Sequence, residues 1–211
     1  MRRFRQLPLF AACLTVLMSS VPVSAQITIK DWSSVQTPPA PELKSVTIDP
    51  KTTALLVLDL LKQTCNEANR PRCLLTLPAN KQLLTEARAH NVFVIYSIGG
   101  GGAIGDALPE VAPLGKEPVV SSGPNKFLNT DLEKILKDNG IKTVIVAGTS
   151  ANGSVLHTAS EAAFRGFKVV VPVDTMSGVN PFVDQYVAYH FTSAPRVSTE
   201  STLTTVGMIK Y

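Results

Sequence analysis

Two polar residues at the ends of apolar segments are the strongest candidates for chemistry in this sequence. Asp59 follows the apolar run 54–58, where a carboxylate is costly to bury unless it is hydrogen-bonded or faces a cleft. Ser154 ends the turn 148–154, which leads from another apolar run into a helical pattern. Asp59 is a candidate base, and Ser154 is a candidate nucleophile or water-orienting group. The alternative is that Asp59 caps a loop and Ser154 caps a helix.

The turn before the predicted helix also offers backbone groups to a ligand. N–H groups at a helix N-terminus point outward and favour negative charge, so this turn could stabilise an oxyanion near Ser150 and Ser154. We therefore expect further residues of the turn to bind substrate, namely Thr149, Ser150, Asn152 and Gly153.

The elements that must position these residues alternate between strand and helix. Predicted strands cover residues 54–58, 92–98, 142–147, 168–173 and 202–206. Predicted helices cover residues 79–90, 130–139, 152–167 and 181–191. The alternation predicts an α/β fold, a three-layer α/β/α sandwich with a mainly parallel, Rossmann-like sheet. In such sheets ligands bind beyond the carboxyl ends of the strands, where Asp59 and the 148–154 turn fall.

The N-terminal segment has the composition of a secretory signal. Three arginines precede an apolar run over residues 7–23, and Ala25 ends a Val-Ser-Ala sequence of the kind that signal peptidase cleaves. We therefore predict a signal peptide over residues 1–25, with a retained membrane anchor as the alternative. Export would place the mature protein in the periplasm or outside the cell.

Removing the signal changes what the charge implies. The 211-residue chain has a net charge of +4, and residues 1–25 contain three arginines and no acid, so the rest of the chain is close to neutral at +1. This balance gives no argument for nucleic-acid binding. Residues 26–43 contain three prolines and predict an extended N-terminal arm. Residues 44–211 predict one domain with no membrane contact after signal cleavage.

Two cysteines are left once Cys13 is removed with the signal. Oxidising conditions outside the cytoplasm favour a disulfide between Cys65 and Cys73, and two unpaired thiols are the alternative. The stretch 70–72 between these cysteines, Arg-Pro-Arg, predicts a loop. The histidines lack metal-ligand spacing, so no metal site is predicted. Prolines follow the glycine-rich stretch 100–105 where a dinucleotide site needs a helix, so no cofactor is predicted either.

Four segments resemble the isochorismatase-like family, also called the cysteine hydrolase family. They match its Asp motif, the segment after its lysine, its cysteine motif and the strand that follows, at residues 54–59, 126–132, 144–159 and 169–174. The resemblance spans roughly residues 44–210. It implies a hydrolase whose site combines an Asp, a Lys and a Cys, with a cis peptide bond before the nucleophile turn, here Thr149–Ser150.

Two positions depart from the pattern of that family. Ser154 takes the place of the cysteine, and Ser121 or Ser122 takes the place of the lysine, so that these two serines would line the substrate site. We therefore predict a degenerate triad that keeps Asp59 and lacks the usual lysine. Lys126 is the nearest replacement.

Lys62, which follows Asp59 in the sequence, is a second possible replacement for the lysine. The alternative is that both Lys62 and Lys126 are surface lysines that do not enter the site.

These features predict an exported hydrolase that acts on a small amide, imide or vinyl-ether substrate with an altered catalytic site. The alternative is a catalytically silent small-molecule-binding protein on the same scaffold, since fold alone does not carry function. A third possibility is that packing accounts for Asp59 and Ser154. The resemblance also implies self-association, and three apolar side chains of the 181–191 helix suit either such a homo-oligomer contact or the core: Phe182, Tyr186 and Tyr189.

Overall fold

A computed structural model describes residues 29–99 and 101–211 of the chain. The predicted signal peptide lies outside the described residues. The chain divides into two compact units, Met1–Thr37 and Pro38–Tyr211. In the first unit, Ile29–Ser34 form a 3-10 helix, and the second unit contains all the strands described below. No helix within the described ranges is both long and apolar enough to cross a bilayer.

The second unit is built on a parallel sheet. The described residues form the strands β1 (Val46–Thr47), β2 (Thr53–Leu58), β3 (Phe93–Ile98), β4 (Val119–Ser121), β5 (Thr143–Thr149), β6 (Lys168–Pro172), β7 (Met176–Ser177), β8 (Ser201–Thr204) and β9 (Ile209–Lys210). The main sheet has the order β4-β3-β2-β5-β6-β8, with β7 beside the end of β5, and its pairings are parallel. β1 and β9 form a separate parallel pair.

Helices cover both faces of this sheet. They are α1 (Pro71–Ala89), α2 (Leu132–Asp138), α3 (Leu156–Phe164), α4 (Pro181–Ser193) and α5 (Val197–Glu200). α1 packs on one face, in a core cluster with Leu55 and Val57 of β2. The other four helices pack on the opposite face, in a cluster with Leu56 and Leu58. This arrangement confirms the three-layer sandwich and explains why β2 is apolar throughout: all six of its residues are buried.

The largest difference from the sequence prediction is the start of α1. The sequence predicts a helix from residue 79 and a loop around Pro71, whereas the helix begins at Pro71 and continues through Pro78. A proline is well suited to the first helical position, because its fixed φ is helical and its missing N–H is not needed there. The prediction of a loop around Pro71 was therefore wrong.

The helices on the other face start slightly differently from the prediction. α2 begins at Leu132, whose N–H donates a hydrogen bond of 3.2 Å to Thr130 Oγ1. The side chain of Glu133, a potential capping-box partner, instead forms an ion pair with Arg165. α3 is preceded by a π-helical turn, Ala151–Val155, which takes the place of the first turn of the predicted helix. This turn shapes the site described below.

A disulfide closes the loop that precedes α1. Cys65 and Cys73 are bonded to each other, with their Cα atoms 5.4 Å apart, and both side chains are buried. The predicted disulfide is thus present, and it joins the loop after β2 to the first turn of α1.

Candidate active site

Asp59 lies where the central strand β2 ends, between the ends of β3 and β5. Leu58 is paired with Ser97 of β3 and with Gly148 of β5, so the following residue meets both neighbouring strands at the carboxyl edge of the sheet. Asp59 is 6% exposed, and Ser97 Oγ donates a hydrogen bond of 2.9 Å to its Oδ1. The carboxylate is therefore buried and hydrogen-bonded, as a charged group in such a position must be.

The backbone of Asp59 makes a sharp local turn. Its φ is 52°, in the left-handed region that Asp adopts more readily than most residues. Its carbonyl oxygen accepts hydrogen bonds from the Leu61 N–H at 2.9 Å and from the Thr64 hydroxyl. These bonds fix the direction of the chain at the residue whose side chain enters the site.

Lys126 supplies the positive charge of the site. The residue is 1% exposed, and its Nζ lies 2.7 Å from Asp59 Oδ2 and 3.1 Å from the carbonyl oxygen of Ser122. Its backbone N–H donates a hydrogen bond of 3.2 Å to Thr158 Oγ1 of α3. A buried ammonium is tolerable only with such close partners, so the Asp59–Lys126 pair forms a mutually dependent unit.

The lysine of the site is Lys126, the residue that the sequence offers as the nearest replacement. Ser121 and Ser122 do stand where the family pattern has its lysine, but the ammonium of Lys126 reaches the carboxylate from further along the chain. The alternative of a surface lysine is excluded for Lys126 by its burial, whereas Lys62 is exposed.

Ser154 completes a chain of three polar groups. Its Oγ donates a hydrogen bond of 2.5 Å to Asp59 Oδ2, the oxygen that also contacts Lys126, and the residue is 6% exposed. Ser154 belongs to the π-helical turn that follows β5. The peptide bond Thr149–Ser150 at the start of this turn is cis, as the family resemblance implies.

Gly148 allows the strand carrying this turn to approach β2. Its φ is 124°, and a Cβ atom at this position would lie 2.1 Å from the carbonyl oxygen of Leu58. Only glycine combines this backbone conformation with so close an approach. The close contact brings the 148–154 turn beside Asp59, which is why two residues so distant in sequence share a hydrogen bond.

The three side chains line a small cavity of about 220 Å³. Binding sites for drug-sized ligands measure about 300–1,000 Å³, so this cavity suits a small substrate. Its lining residues are Asp59, Thr64, Arg70, Gly99, Ser122, Gly123, Pro124, Lys126, Thr149, Ser150, Gly153 and Ser154.

Two predicted substrate-binding residues do not line this cavity. Ser121 is the last residue of β4, whose residues are alternately exposed, buried and exposed, and its side chain is on the exposed side. Asn152 is exposed on the outer side of the π-helical turn. The other four predicted residues do line the cavity: Ser122, Thr149, Ser150 and Gly153.

Thr149 presents an unused polar group at the cavity wall. The residue is 2% exposed, and its Oγ1 makes no hydrogen bond within the described part of the protein. Buried hydroxyl groups are normally hydrogen-bonded. This hydroxyl is therefore an unsatisfied buried polar group next to the cavity.

Sequence reasoning missed Ser97, which contacts Asp59, and five residues that line the cavity: Thr64, Arg70, Gly99, Gly123 and Pro124. Ser97 is the next-to-last residue of β3, beside β2, and the rule that neighbouring parallel strands end together could have identified it. Thr64, Gly99 and Arg70 lie in loops, where the sequence gives no periodic signal for position. A Cβ atom on Gly99 would lie 3.2 Å from both Asp59 Oδ2 and Lys126 Nζ, so this glycine leaves room for the ion pair.

Asp174, at another predicted strand end, is outside the cavity. Its carboxylate accepts hydrogen bonds from the Val206 N–H at 3.1 and 3.2 Å. Burial raises the pKa of Asp174 above its usual value, and the Val206 hydrogen bond only partly opposes this effect. Asp174 therefore has a structural role between the end of β6 and the C-terminal segment.

Comparison with known proteins fits the fold and the site. The chain has a parallel α/β sheet with an Asp, a Lys and a hydroxyl group in contact at its carboxyl edge. The family model of the isochorismatase domain matches residues 53–199, so the chain belongs to the isochorismatase family of hydrolases.

The individual relatives match this chain over only part of its length. An N-carbamoylsarcosine amidase from Arthrobacter sp. is 36% identical over 80 residues, which are 37% of this chain and 30% of that enzyme. The secreted isochorismatase effector Isc1 of Verticillium dahliae is 28% identical over 127 residues, 55% of this chain and 63% of the effector. The chain thus spans less than two thirds of either curated relative.

The structural comparison supports the same fold. The crystal structure of N-carbamoylsarcosine amidase from Thermoplasma acidophilum matches with a TM-score of 0.64 at 22% sequence identity. The match covers 74% of this chain and 96% of that structure. At this level of identity the likeness concerns the fold alone.

Proposed function

We propose that this protein hydrolyses a small amide, imide or vinyl-ether substrate, with Ser154 as nucleophile and Asp59 as base. The observation that carries the proposal is the hydrogen bond of 2.5 Å from Ser154 Oγ to Asp59 Oδ2 at the wall of the cavity. A nucleophilic hydroxyl needs a positioned proton acceptor, and this carboxylate oxygen is in direct reach.

For an amide the reaction has two balanced stages. In the first, Ser154 Oγ attacks the carbonyl carbon while its proton moves to Asp59 Oδ2, and the same proton then passes to the departing nitrogen. An acyl ester and a free amine result. In the second stage, Asp59 takes a proton from water, the hydroxide attacks the ester, and the proton returns to Ser154 Oγ as the carboxylic acid is released.

Backbone N–H groups near Ser150 and Ser154 are the proposed partners of the oxyanion that forms in each stage. They lie in the turn that follows β5, beside the attacking hydroxyl. Lys126 holds a positive charge 2.7 Å from Asp59 Oδ2, so it orients the carboxylate and offsets the negative charge that develops during the attack.

The site differs from that of a cysteine hydrolase in the acidity of its nucleophile. A thiol is partly ionised near neutral pH, whereas a serine hydroxyl has to lose its proton during the attack. The direct Ser154–Asp59 hydrogen bond supports the serine in this role, because the base is in place before substrate arrives.

We further propose that the protein is exported, with cleavage after Ala25. The Cys65–Cys73 disulfide supports export, because disulfides persist mainly outside the cytoplasm. The similarity to a secreted relative also supports export. Mass spectrometry of protein recovered from outside the cytoplasm should give a chain that begins at Gln26. A chain that retains residues 1–25 would contradict the proposal.

A contact between copies of the chain is a further part of the proposal. Three large apolar side chains of α4 are 45–67% exposed rather than part of the core: Phe182, Tyr186 and Tyr189. Light scattering of wild-type protein and of Phe182→Ser measures the oligomeric state. An unchanged monomer in both would remove this part of the proposal.

The test of the hydrolase function is turnover of a panel of small amides and imides, with release of ammonia or amine as the signal. Wild-type protein should turn over at least one of them, and Ser154→Ala should reduce its kcat by about a thousandfold or more. Undiminished turnover in Ser154→Ala would remove the proposed nucleophile. Saturable binding by the wild type without any product would show a silent binding protein instead.

A further inference from the structure

A second cationic side chain lines the cavity without an acidic partner. Arg70 is half-buried and belongs to the cavity wall. Over residues 29–99 and 101–211, no carboxylate lies within ion-pair distance of its guanidinium group. Asp59 is the acid among the lining residues, and it is paired with Lys126. The charges of that pair cancel, so the cavity keeps the unbalanced positive charge of Arg70.

We propose that Arg70 binds a carboxylate group of the substrate, so that the preferred substrates are small anionic amides. This inference rests on the proposed hydrolase function and names the substrate class of the same site. A guanidinium group offers donors in a planar fork that matches the two oxygens of a carboxylate. The amide carbon of such a substrate lies at Ser154 Oγ while its carboxylate is held at the Arg70 side of the cavity.

The helix that follows Arg70 also favours an anionic ligand. Arg70 is the N-cap of α1, so the positive end of a 19-residue helix adjoins the same part of the cavity. With a volume of about 220 Å³, the cavity favours a short molecule in which the amide and the carboxylate are close together.

The disulfide-closed loop, residues 65–73, holds Arg70 in place. The Arg70 N–H donates a hydrogen bond of 2.8 Å to the Asn66 carbonyl, and the Arg70 carbonyl accepts one of 3.0 Å from the Cys73 N–H. The acid of this loop, Glu67, is exposed and does not line the cavity. The guanidinium group is thus presented from an ordered backbone, which lowers the entropic cost of binding a ligand.

The experiment compares succinamate, which carries one amide and one carboxylate, with its neutral isostere succinamide. Wild-type protein should show a kcat/KM for succinamate about tenfold or more above that for succinamide. Arg70→Gln should lower this ratio by about tenfold to a hundredfold, mainly through the KM for succinamate, because one charge-assisted contact is lost. Arg70→Lys should restore part of the ratio, since the charge returns without the fork.

Lys62→Gln is the matched control, because it removes one positive charge from an exposed lysine that does not line the cavity. Its ratio of kcat/KM for succinamate to kcat/KM for succinamide should equal that of the wild type. A wild-type ratio near one, or a ratio that Arg70→Gln leaves unchanged, would overturn the inference about Arg70 while leaving the hydrolase function intact.

A binding measurement separates this inference from the hydrolase proposal. If wild-type protein turns over no amide, the proposed function fails, and calorimetry with succinamate and succinamide then tests Arg70 alone. The inference would be supported if the wild type binds succinamate more tightly than succinamide and Arg70→Gln abolishes this difference. Equal binding of the two compounds, or an anion preference that persists in Arg70→Gln, would refute it.

Discussion

Ser154 Oγ and Lys126 Nζ both contact Oδ2 of Asp59, at 2.5 Å and 2.7 Å. One carboxylate oxygen therefore joins the hydroxyl that is proposed to attack with the ammonium that balances its charge. The other oxygen is occupied by Ser97. Each of the three groups depends on the position of the other two, and the following predictions use this dependence.

Ser154→Cys should give an enzyme that retains turnover and can be labelled with iodoacetamide. A thiol at this position ionises more readily than the hydroxyl and accepts the same neighbours. Residues 26–211 contain no other free thiol, because Cys65 and Cys73 are joined, so labelling of a chain that begins at Gln26 should reach one group and abolish activity. The wild type is the unlabelled control. An unreactive thiol in Ser154→Cys would contradict an accessible nucleophile position.

Asp59→Asn should abolish turnover and also destabilise the fold. It removes the proton acceptor, which contributes about a hundredfold to ten-thousandfold in rate, and it leaves the buried Lys126 ammonium unpaired. Breaking such a pair costs about 3–5 kcal/mol. Urea unfolding of the variant measures this loss.

The double variant Asp59→Asn/Lys126→Met separates stability from chemistry. It removes both charges, so most of the lost stability should return while turnover remains absent. A double variant as unstable as Asp59→Asn alone would show that the unpaired ammonium is not the cause.

Gly148→Ala should destabilise the fold strongly. Its φ of 124° and the approach of 2.1 Å between the added Cβ and the Leu58 carbonyl oxygen force backbone, rather than a flexible side chain, to move. We expect a loss of about 4 kcal/mol or more in the free energy of unfolding. Gly105→Ala, where the added Cβ meets no atom within 4 Å, is the control and should change it by less than about 0.5 kcal/mol. Similar losses in both variants would contradict the steric account.

Reduction of the disulfide should lower the free energy of unfolding. It should also lower the ratio of kcat/KM for succinamate to that for succinamide, because the bond closes the loop that holds Arg70. Loss of a cross-link of this kind costs about 2–3 kcal/mol, or about 5–10 °C in Tm for a domain of this size. The variant Cys65→Ser/Cys73→Ser should reproduce the Tm of the wild type in dithiothreitol and should not respond to dithiothreitol itself. A wild-type Tm that reduction leaves unchanged would contradict this prediction.

Asp174→Asn should make stability less sensitive to rising pH. Burial raises the pKa of Asp174 in the folded protein above its unfolded value, so the folded state binds the proton more tightly. The associated stability is present below the unfolded pKa and is lost as the pH rises through the folded pKa. The variant should therefore match the wild type in acid and exceed its Tm near neutral pH. A lower Tm of the variant at neutral pH would contradict the sign.

The fold was predictable because its strands are buried on both faces. The unbroken apolar run that forms β2 has this property, and the alternation with helices follows from covering such a sheet. The start of α1 was not predictable by the same reasoning. Pro71 and Pro78 both lie within the helix, but prolines in a sequence usually indicate that a helix is interrupted. Proline at the first helical position and proline in a loop have the same local sequence signature.

The site was predictable where it follows the strands and less so where it follows loops. Asp59 and Ser154 come directly from strand ends, and both line the cavity. Arg70 and Thr64 could not be placed, because Arg70 lies in the disulfide-closed loop and Thr64 lies just before it, where no periodic pattern predicts the position of a side chain. Ser121 was predicted to bind substrate but does not line the cavity, because side chains alternate between the two faces of β4 and that of Ser121 is on the exposed side.

The reach of Lys126 has a consequence for how proteins of this kind are found in genomes. A lysine carries its charge at the end of four methylene groups, so the anchoring residue can shift along a loop while the charge stays in one place. A search pattern that requires a lysine at fixed spacing would reject this chain, although its ammonium group lies beside the Asp59 carboxylate. Annotation of such sequences as inactive should therefore depend on three-dimensional distances rather than on column-by-column residue identity.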